Sequence, residues 1–178
     1  FPYTTLFRSR AWDRAEVDES EAAFARLMTP AAKYWICKLA PTILYEAMEC
    51  MGGNGYIEDG LLARAYREAP VNAIWEGTSN VIALDVLRAR ARSPDAFGHI
   101  VDSLRPTAED GSPMIERWQR LAGGGQEALA RTAASDLAIL AALKQLRRNP
   151  QTAVADAFAT VMSRARQGGL AGYDGSGQ

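Results

Sequence analysis

One long stretch of this chain is apolar on almost every helical face. From Ala31 to Met51, apolar side chains such as Trp35, Leu39, Ile43 and Ala47 recur at helical spacing on overlapping faces. A helix that is apolar nearly all round is buried on several sides. The stretch therefore predicts the central helix of an all-α protein, packed among other helices, and no strand alternation competes with that prediction.

Prolines and glycines predict where the helices begin and end. Thr29-Pro30 predicts a stop and a restart, because Thr caps helices and Pro is favoured at the first helical position. Pro41 predicts a kink. The predicted helical segments are Glu16–Met28, Ala31–Met51, a loop with a short helix over Ile57–Tyr66, Val81–Arg92, Asp95–Leu104, Met114–Leu121, Gln126–Arg148 and Gln151–Arg166.

Composition and charge exclude several classes of protein. A hydrophobic share of 48% is ample for a core, and a net charge of −1 argues against a chain that binds nucleic acid over its whole surface. No apolar run approaches the length of a membrane helix, and no signal peptide is visible, so a cytoplasmic location is expected. Cys37 and Cys50 lack metal or disulfide spacing. His99 is the only histidine, so no metal site is predicted.

The first residues of the sequence are interpreted separately from the rest. Residues 2–9 match, letter for letter, the in-frame translation of a common sequencing-adapter oligonucleotide. Residues 1–10 are therefore expected to be an artefact outside the fold. Residues 11–92 are predicted to form a helical bundle and residues 93–167 a C-terminal helical extension. Residues 168–178, rich in Gly and Ser, are predicted to be a disordered tail.

Two short motifs stand about two dozen residues apart. The first is Met51-Gly52-Gly53-Asn54-Gly55-Tyr56, and the second is Trp75-Glu76-Gly77-Thr78-Ser79-Asn80. The pair resembles the C-terminal helical domain of the acyl-CoA dehydrogenases, which bind FAD. Residues 33–38, 66–72 and 84–88 resemble most closely the alkylation-response (AidB-type, isovaleryl-CoA dehydrogenase-like) branch.

The resemblance implies a set of roles for these motifs. Glu76 would be the base that removes the α-proton of a short or branched acyl-CoA, and Gly52, Gly53, Thr78 and Asn80 would contact FAD. It also implies a helical domain and a β-barrel domain upstream of this sequence, and a homotetramer for the full-length protein.

The residues around Glu76 suit a base on physical grounds as well. Removing an α-proton needs a carboxylate that is partly desolvated, so that its pKa rises. Ile74 and Trp75 are expected to supply an apolar wall, and Gly77 permits close approach of backbone to ligand. The helix that follows begins near Thr78 or Ser79, and its free N–H groups suit an anionic oxygen.

Plainer interpretations stand beside these. A Glu before a helix is commonly just solvated, the glycines form a helix end and a tight turn, and Arg67 is a structural salt-bridge partner. Three functions remain open: a flavin-dependent acyl-CoA dehydrogenase, an AidB-type protein that binds duplex DNA with weak dehydrogenase activity, and a piece that is inactive alone. If partner domains are absent, Trp35, Ile36, Ile74 and Trp75 are expected to face solvent.

Overall fold

The computed structural model of the protein describes residues 9, 11–104, 114–116, 118, 127–148 and 152–165. Within these ranges the chain is helical or in turns and contains no strand, which confirms the all-α class. The helices are α1 (Glu19–Cys50), α2 (Gly53–Tyr56), α3 (Leu61–Glu68), α4 (Ser79–Arg92), α5 (Pro94–Leu104), α6 (Ala130–Leu146) and α7 (Thr152–Ala165), and 3-10 turns span Ala69–Ala73 and Glu127–Leu129.

Helix α1 begins three residues after the predicted start, at a side-chain cap. The Asp18 carboxylate accepts hydrogen bonds from the Ser20 N–H at 2.9 Å and from the Ser20 hydroxyl at 2.6 Å. The bond from the Ser20 N–H satisfies a backbone donor that the first turn of a helix cannot satisfy internally. Asp18 thus sets the first residue of the helix.

The predicted break at Thr29-Pro30 is wrong, because α1 continues through Pro30 and Pro41 to Cys50. An interior proline costs a helix roughly 3 kcal/mol. The residues on either side of Pro30 are deeply buried: Met28 is 1% exposed and Ala31 is fully buried. Their packing offsets the local penalty, so tertiary contacts override a local signal. The kink at Pro41 stays a prediction.

The glycine motif ends α1 as predicted. Gly52 adopts a φ of 57°, in the left-handed region that glycine tolerates. The short helix α2 then turns the chain back against α1. A Cβ on Gly55 would lie 2.4 Å from the carbonyl oxygen of Met48, so only glycine permits this approach.

One hydrophobic cluster joins α1, α4, α5 and α6. Helix α6 packs against both α1 and α4, and its residues 137–141 are almost fully buried. Trp35 is 2% exposed and meets the ring of Phe158 on α7 edge to face, with ring centroids 6.1 Å apart. The expected exposure of Trp35 is therefore wrong, because α7 covers it.

Some predictions fall outside what the structure describes. Residues 168–178 and all but Ser9 of residues 1–10 lie outside the described residues, as does most of the segment between 105 and 126. The described residues 114–116 and 118 of the predicted helix Met114–Leu121 are helical. The division of the chain at residue 92 stays a prediction.

Candidate functional site

The turn that carries Glu76 has an unusual backbone. Glu76 has a φ of 55°, the one positive value found among the non-glycine residues that the structure describes, and Gly77 follows with a φ of 106°. A left-handed residue other than glycine costs roughly 1–2 kcal/mol, and such strained residues cluster at functional sites. This backbone singles out Glu76 independently of its motif.

Lys33 anchors this turn to α1. Its ammonium group donates a hydrogen bond to the carbonyl oxygen of Trp75 at 2.6 Å, and lies 4.0 Å from the Oε2 atom of Glu76. The Lys33 side chain is only 22% exposed, so the surrounding atoms restrict its conformations. The turn is thus tied to the central helix immediately before the candidate base.

The Glu76 carboxylate itself projects into solvent, with 86% of the side chain exposed. Ile74 and Trp75 are 61% and 59% exposed, as the sequence led us to expect. Desolvation of the carboxylate is therefore not achieved within the described part of the chain. A ligand or a neighbouring domain has room to cover all three side chains.

Helix α4 begins directly after this turn. Thr78 occupies the N-cap position, but its side chain makes no capping hydrogen bond, so only the position of the predicted cap is confirmed. The Oδ1 atom of Asn80 accepts a hydrogen bond from Arg131 Nε at 2.7 Å. That bond fixes the amide and directs the remaining polar group of Asn80, its NH2, to other partners.

The glycine turn lies at the C-terminal end of α1, far from Lys33, which holds the Glu76 turn against the same helix. The backbone at Gly52 and Gly53 is exposed, and a Cβ on either residue would meet no atom within 4 Å. Gly52 follows Lys33 by 19 positions, which corresponds to roughly 28 Å of helix at a rise of about 1.5 Å per residue. The predicted FAD contacts therefore form two separate groups on one chain.

Arg67, on α3 between the two motifs, is a salt-bridge partner, as the plainer interpretation predicts. The guanidinium of Arg67 pairs with both oxygens of Glu58, and its Nη2 atom lies 2.8 Å from Oε2. Arg64 pairs with Glu68 one turn away, at 3.0 Å. Both guanidinium groups are thus paired with carboxylates at the surface of the protein.

Other kinds of site are absent from the described ranges. No three His, Cys, Asp or Glu residues there could hold a metal ion together. None of the described helices combines the length and apolar character that crossing a membrane requires. Cys37 and Cys50 are free thiols, and Cys50 is exposed.

Sequence reasoning missed two residues of this site. Lys33 lies 42 residues before Trp75, and Arg131 lies 51 residues after Asn80. Local spacing carries no signal for contacts of such separation. The only available hint was a lysine within an otherwise apolar helix, where an unpaired charge is costly.

Comparison with known proteins supports the resemblance. Residues 4–91 match the family model of the acyl-CoA dehydrogenase C-terminal domain. AidB of Escherichia coli (strain K12) is 38% identical over 167 residues, which cover 92% of this chain and 31% of AidB. Acyl-CoA dehydrogenase family member 11 of Caenorhabditis elegans is 45% identical over 87 residues, 47% of this chain and 14% of that protein.

Two solved structures share the fold. The apo form of Bd2924 superposes with a TM-score of 0.69 at 32% identity, over 82% of this chain and 30% of that one. Caenorhabditis elegans ACDH-11, solved in complex with C11-CoA, superposes with a TM-score of 0.77 at 24% identity, over 99% of this chain and 38% of that one. The chain thus spans less than a third of AidB and of Bd2924.

The family match begins at residue 4, inside the segment interpreted as translated adapter, and that interpretation stays a prediction. It ends at residue 91, at the end of α4, and includes the glycine turn, Lys33 and Glu76. Through this matched domain, the chain belongs to the acyl-CoA dehydrogenase family.

Proposed function

We propose that this chain carries the proton-removing side of a flavin-dependent acyl-CoA dehydrogenase, with Glu76 as the base. The observation that supports this most directly is the left-handed backbone of Glu76, tied to α1 through Lys33. Packing of the side chain does not account for the strain, since Glu76 is 86% exposed and its carboxylate lies 4.0 Å from the Lys33 ammonium. A strained, anchored and outward-pointing carboxylate is suited to reach a ligand.

Proton removal by Glu76 requires more than this chain provides. A carboxylate in water is a weak base for a carbon acid, and covering it raises its basicity. In our proposal, the acyl group of a short or branched acyl-CoA lies over Glu76, beside Ile74 and Trp75. The substrate and the remaining domains would then exclude water from a carboxylate that the described chain leaves open.

The residues present fit FAD as partial contacts. Helix α4 lacks a side-chain cap, so its first N–H groups are free to donate to a ligand oxygen near Thr78 and the Asn80 amide. The open backbone at Gly52 and Gly53 allows a second close approach. When bound, the flavin supplies the acceptor for the β-hydride. We propose that the two groups of contacts serve FAD molecules of different subunits in a homotetramer.

Because each group of contacts is small, we expect weak or no FAD binding by the isolated chain and no turnover. Holding base, cofactor and thioester in place accounts for much of such catalysis, and ~1 Å of misplacement costs about a hundredfold in rate. Micromolar FAD binding in a fluorescence titration of the isolated chain would contradict this expectation. Isovaleryl-CoA turnover by the chain alone would contradict it as well.

The role of Glu76 is tested in an intact dehydrogenase that contains this domain. Glu76→Gln should lower isovaleryl-CoA turnover by about 10²–10⁴-fold, because the amide that replaces the carboxylate cannot accept the α-proton. Glu46→Gln, a change of the same kind at an exposed position on α1, is the matched control and should leave turnover unchanged. Full activity of the Glu76→Gln protein would remove Glu76 from the mechanism.

A second candidate is an AidB-type function in which duplex DNA is bound and dehydrogenation is weak. The similarity to AidB favours it, because it covers 92% of this chain and so extends past residue 91. Phosphate contacts by Lys and Arg make affinity fall steeply with salt. A mobility shift on duplex DNA that weakens with added salt would support this candidate, and no shift at low salt would exclude it.

A further inference from the structure

A groove of about 850 Å3 lies on the side of the bundle formed by the first turns of α1, the end of α4, and helices α5 and α6. Its apolar lining includes Phe24, Leu27, Phe97 and Ile100. Neither Glu76 nor any predicted FAD contact lines it. The groove is therefore distinct from the candidate dehydrogenase site, and its size falls within the range typical of small-molecule sites.

Four cationic side chains line this groove: Arg26, Arg90, Lys144 and Arg148. None of them makes a salt bridge to a carboxylate of the described residues. By contrast, the neighbouring Arg147 does pair with a carboxylate, that of Asp156, at 3.3 Å. The groove thus gathers four cationic groups that no direct salt bridge to a described residue neutralises.

Two of these cations are partly buried and held in place. Lys144 donates a hydrogen bond to the Ser103 hydroxyl at 3.1 Å. Burial, and then repulsion from Arg148, lower the pKa of Lys144, while Glu21 acts in the opposite direction. The guanidinium of Arg90 lies 5.0 Å from the centroid of the Phe97 ring, and burial lowers its pKa.

Glu19 and Glu21 line the α1 wall of the same groove, and His99 lies on the α5 wall. The two carboxylates disfavour an anion against α1. Lys144 near the end of α6 and Arg148 just beyond that end, together with Arg90 on α4, favour one on the opposite side. Partly desolvated cations that lack a direct salt bridge are costly, and an anion of matching charge offsets that cost.

We infer that this groove binds a small phosphate-bearing ligand, with Lys144 and Arg90 on the phosphate and Phe97 and Ile100 beside an attached apolar group. Phosphate suits the site because a dianion can satisfy several cations at once, and guanidinium and ammonium groups bind it through charge-assisted hydrogen bonds. Flavin chemistry has no part in the inference, so it stands or falls separately from the proposed dehydrogenase function.

Phenyl phosphate carries both a phosphate and an apolar ring, so it serves as the probe. Inorganic phosphate and phenol, which each carry one of these two groups, are its controls. Isothermal titration of the 178-residue chain should show binding of phenyl phosphate, weaker binding of phosphate and none of phenol. Lys144→Gln should weaken binding about tenfold or more, because a charge-assisted hydrogen bond is lost. Arg88→Gln, on α4 but outside the groove, is the matched control and should bind as the wild type does.

A second variant, which should tighten binding instead of weakening it, separates a change in the site from a loss of folding. Glu21→Gln removes a carboxylate that faces Lys144, so it should tighten phenyl phosphate binding. The proposal is overturned if wild-type chain gives no titration, or if Lys144→Gln and Glu21→Gln both bind as wild type. Binding of duplex DNA with no response to phenyl phosphate would also overturn it, in favour of a polyanion surface.

Discussion

The ammonium of Lys33 and the carbonyl oxygen of Trp75 lie 2.6 Å apart, joining the middle of the central helix to the turn that presents Glu76. This bond links a side chain of the central helix to the backbone of an exposed turn. It places a cation 4.0 Å from the Glu76 carboxylate as well. One lysine therefore influences both the shape of the turn and the charge around the candidate base.

Replacing Lys33 with Met should loosen this turn. Met keeps most of the apolar stem of the side chain but cannot donate to Trp75, so we expect a loss of about 1 kcal/mol in the free energy of unfolding. The peptide bond after Glu76 should also be cleaved faster by a glutamate-specific protease, measured by mass spectrometry. Lys33→Arg retains a donor and is the control. Equal cleavage rates in all three proteins would show that Lys33 does not hold the turn.

Replacing Glu76 with Gly should cost no stability, unlike the same change elsewhere. Glycine tolerates the φ of 55° at this position, so relief of strain offsets the entropy that glycine adds to the unfolded chain. Glu46→Gly, in the interior of α1, should instead cost about 1 kcal/mol. Chemical denaturation measures both. An equal loss in the two variants would mean that Glu76 carries no strain.

Adding a methyl group at Gly55 should be far more damaging than adding one at Gly53. The new Cβ at Gly55 would meet backbone atoms of Met48, which cannot move aside, so Gly55→Ala should cost about 2–3 kcal/mol. Gly53→Ala meets no atom within 4 Å and should be close to neutral. Thermal unfolding of the two variants provides the comparison. A neutral Gly55→Ala would show that α2 does not pack closely on α1.

The Asp18 cap should make stability depend on pH in the acid range. Hydrogen bonds from Ser20, and then from Glu21, lower the pKa of the Asp18 carboxyl below 3.8. A group whose pKa is lowered by folding stabilises the protein above its ordinary pKa, and loses that effect as pH falls through the folded value. Asp18→Ala should therefore lower the melting temperature at neutral pH, and the difference from wild type should shrink below pH 3.8.

Asp18→Asn separates the charge of the cap from its hydrogen bonds. Asn caps helices well but does not ionise in this range, so its margin over Asp18→Ala should stay constant with pH. If the wild-type margin were equally flat, the carboxylate of Asp18 would have no role in stability.

The helical class and most helix ends could be predicted, because apolar periodicity and glycine are local signals. Gly52 ends α1 in a left-handed conformation, as the sequence indicates. Pro30 misled the prediction, since the local cost of proline is offset by packing that the sequence does not display. Trp35 was misplaced for a related reason: the helix that covers it, α7, begins more than a hundred residues later.

For the candidate site, motifs identified Glu76, Thr78 and Asn80 but not the residues that hold them. Lys33 and Arg131 reach the site from α1 and α6, and their roles follow from how those helices pack. Backbone strain at Glu76 was equally invisible, because glutamate rarely adopts a positive φ and no local rule predicts it. Motifs identify candidate contacts, whereas the residues that hold those candidates in place depend on the fold.

Helix α6 lies wholly beyond residue 91, where the match to the family model ends, yet it packs on α1 and α4 and donates the Arg131 hydrogen bond to Asn80. Val86 and Ala83 on α4 are fully buried in the cluster that α6 completes. A chain cut at residue 92 would retain every recognisable motif and expose that cluster to water. The segment that the family model matches is thus shorter than the packed helical unit, and expression boundaries for this domain should follow the latter.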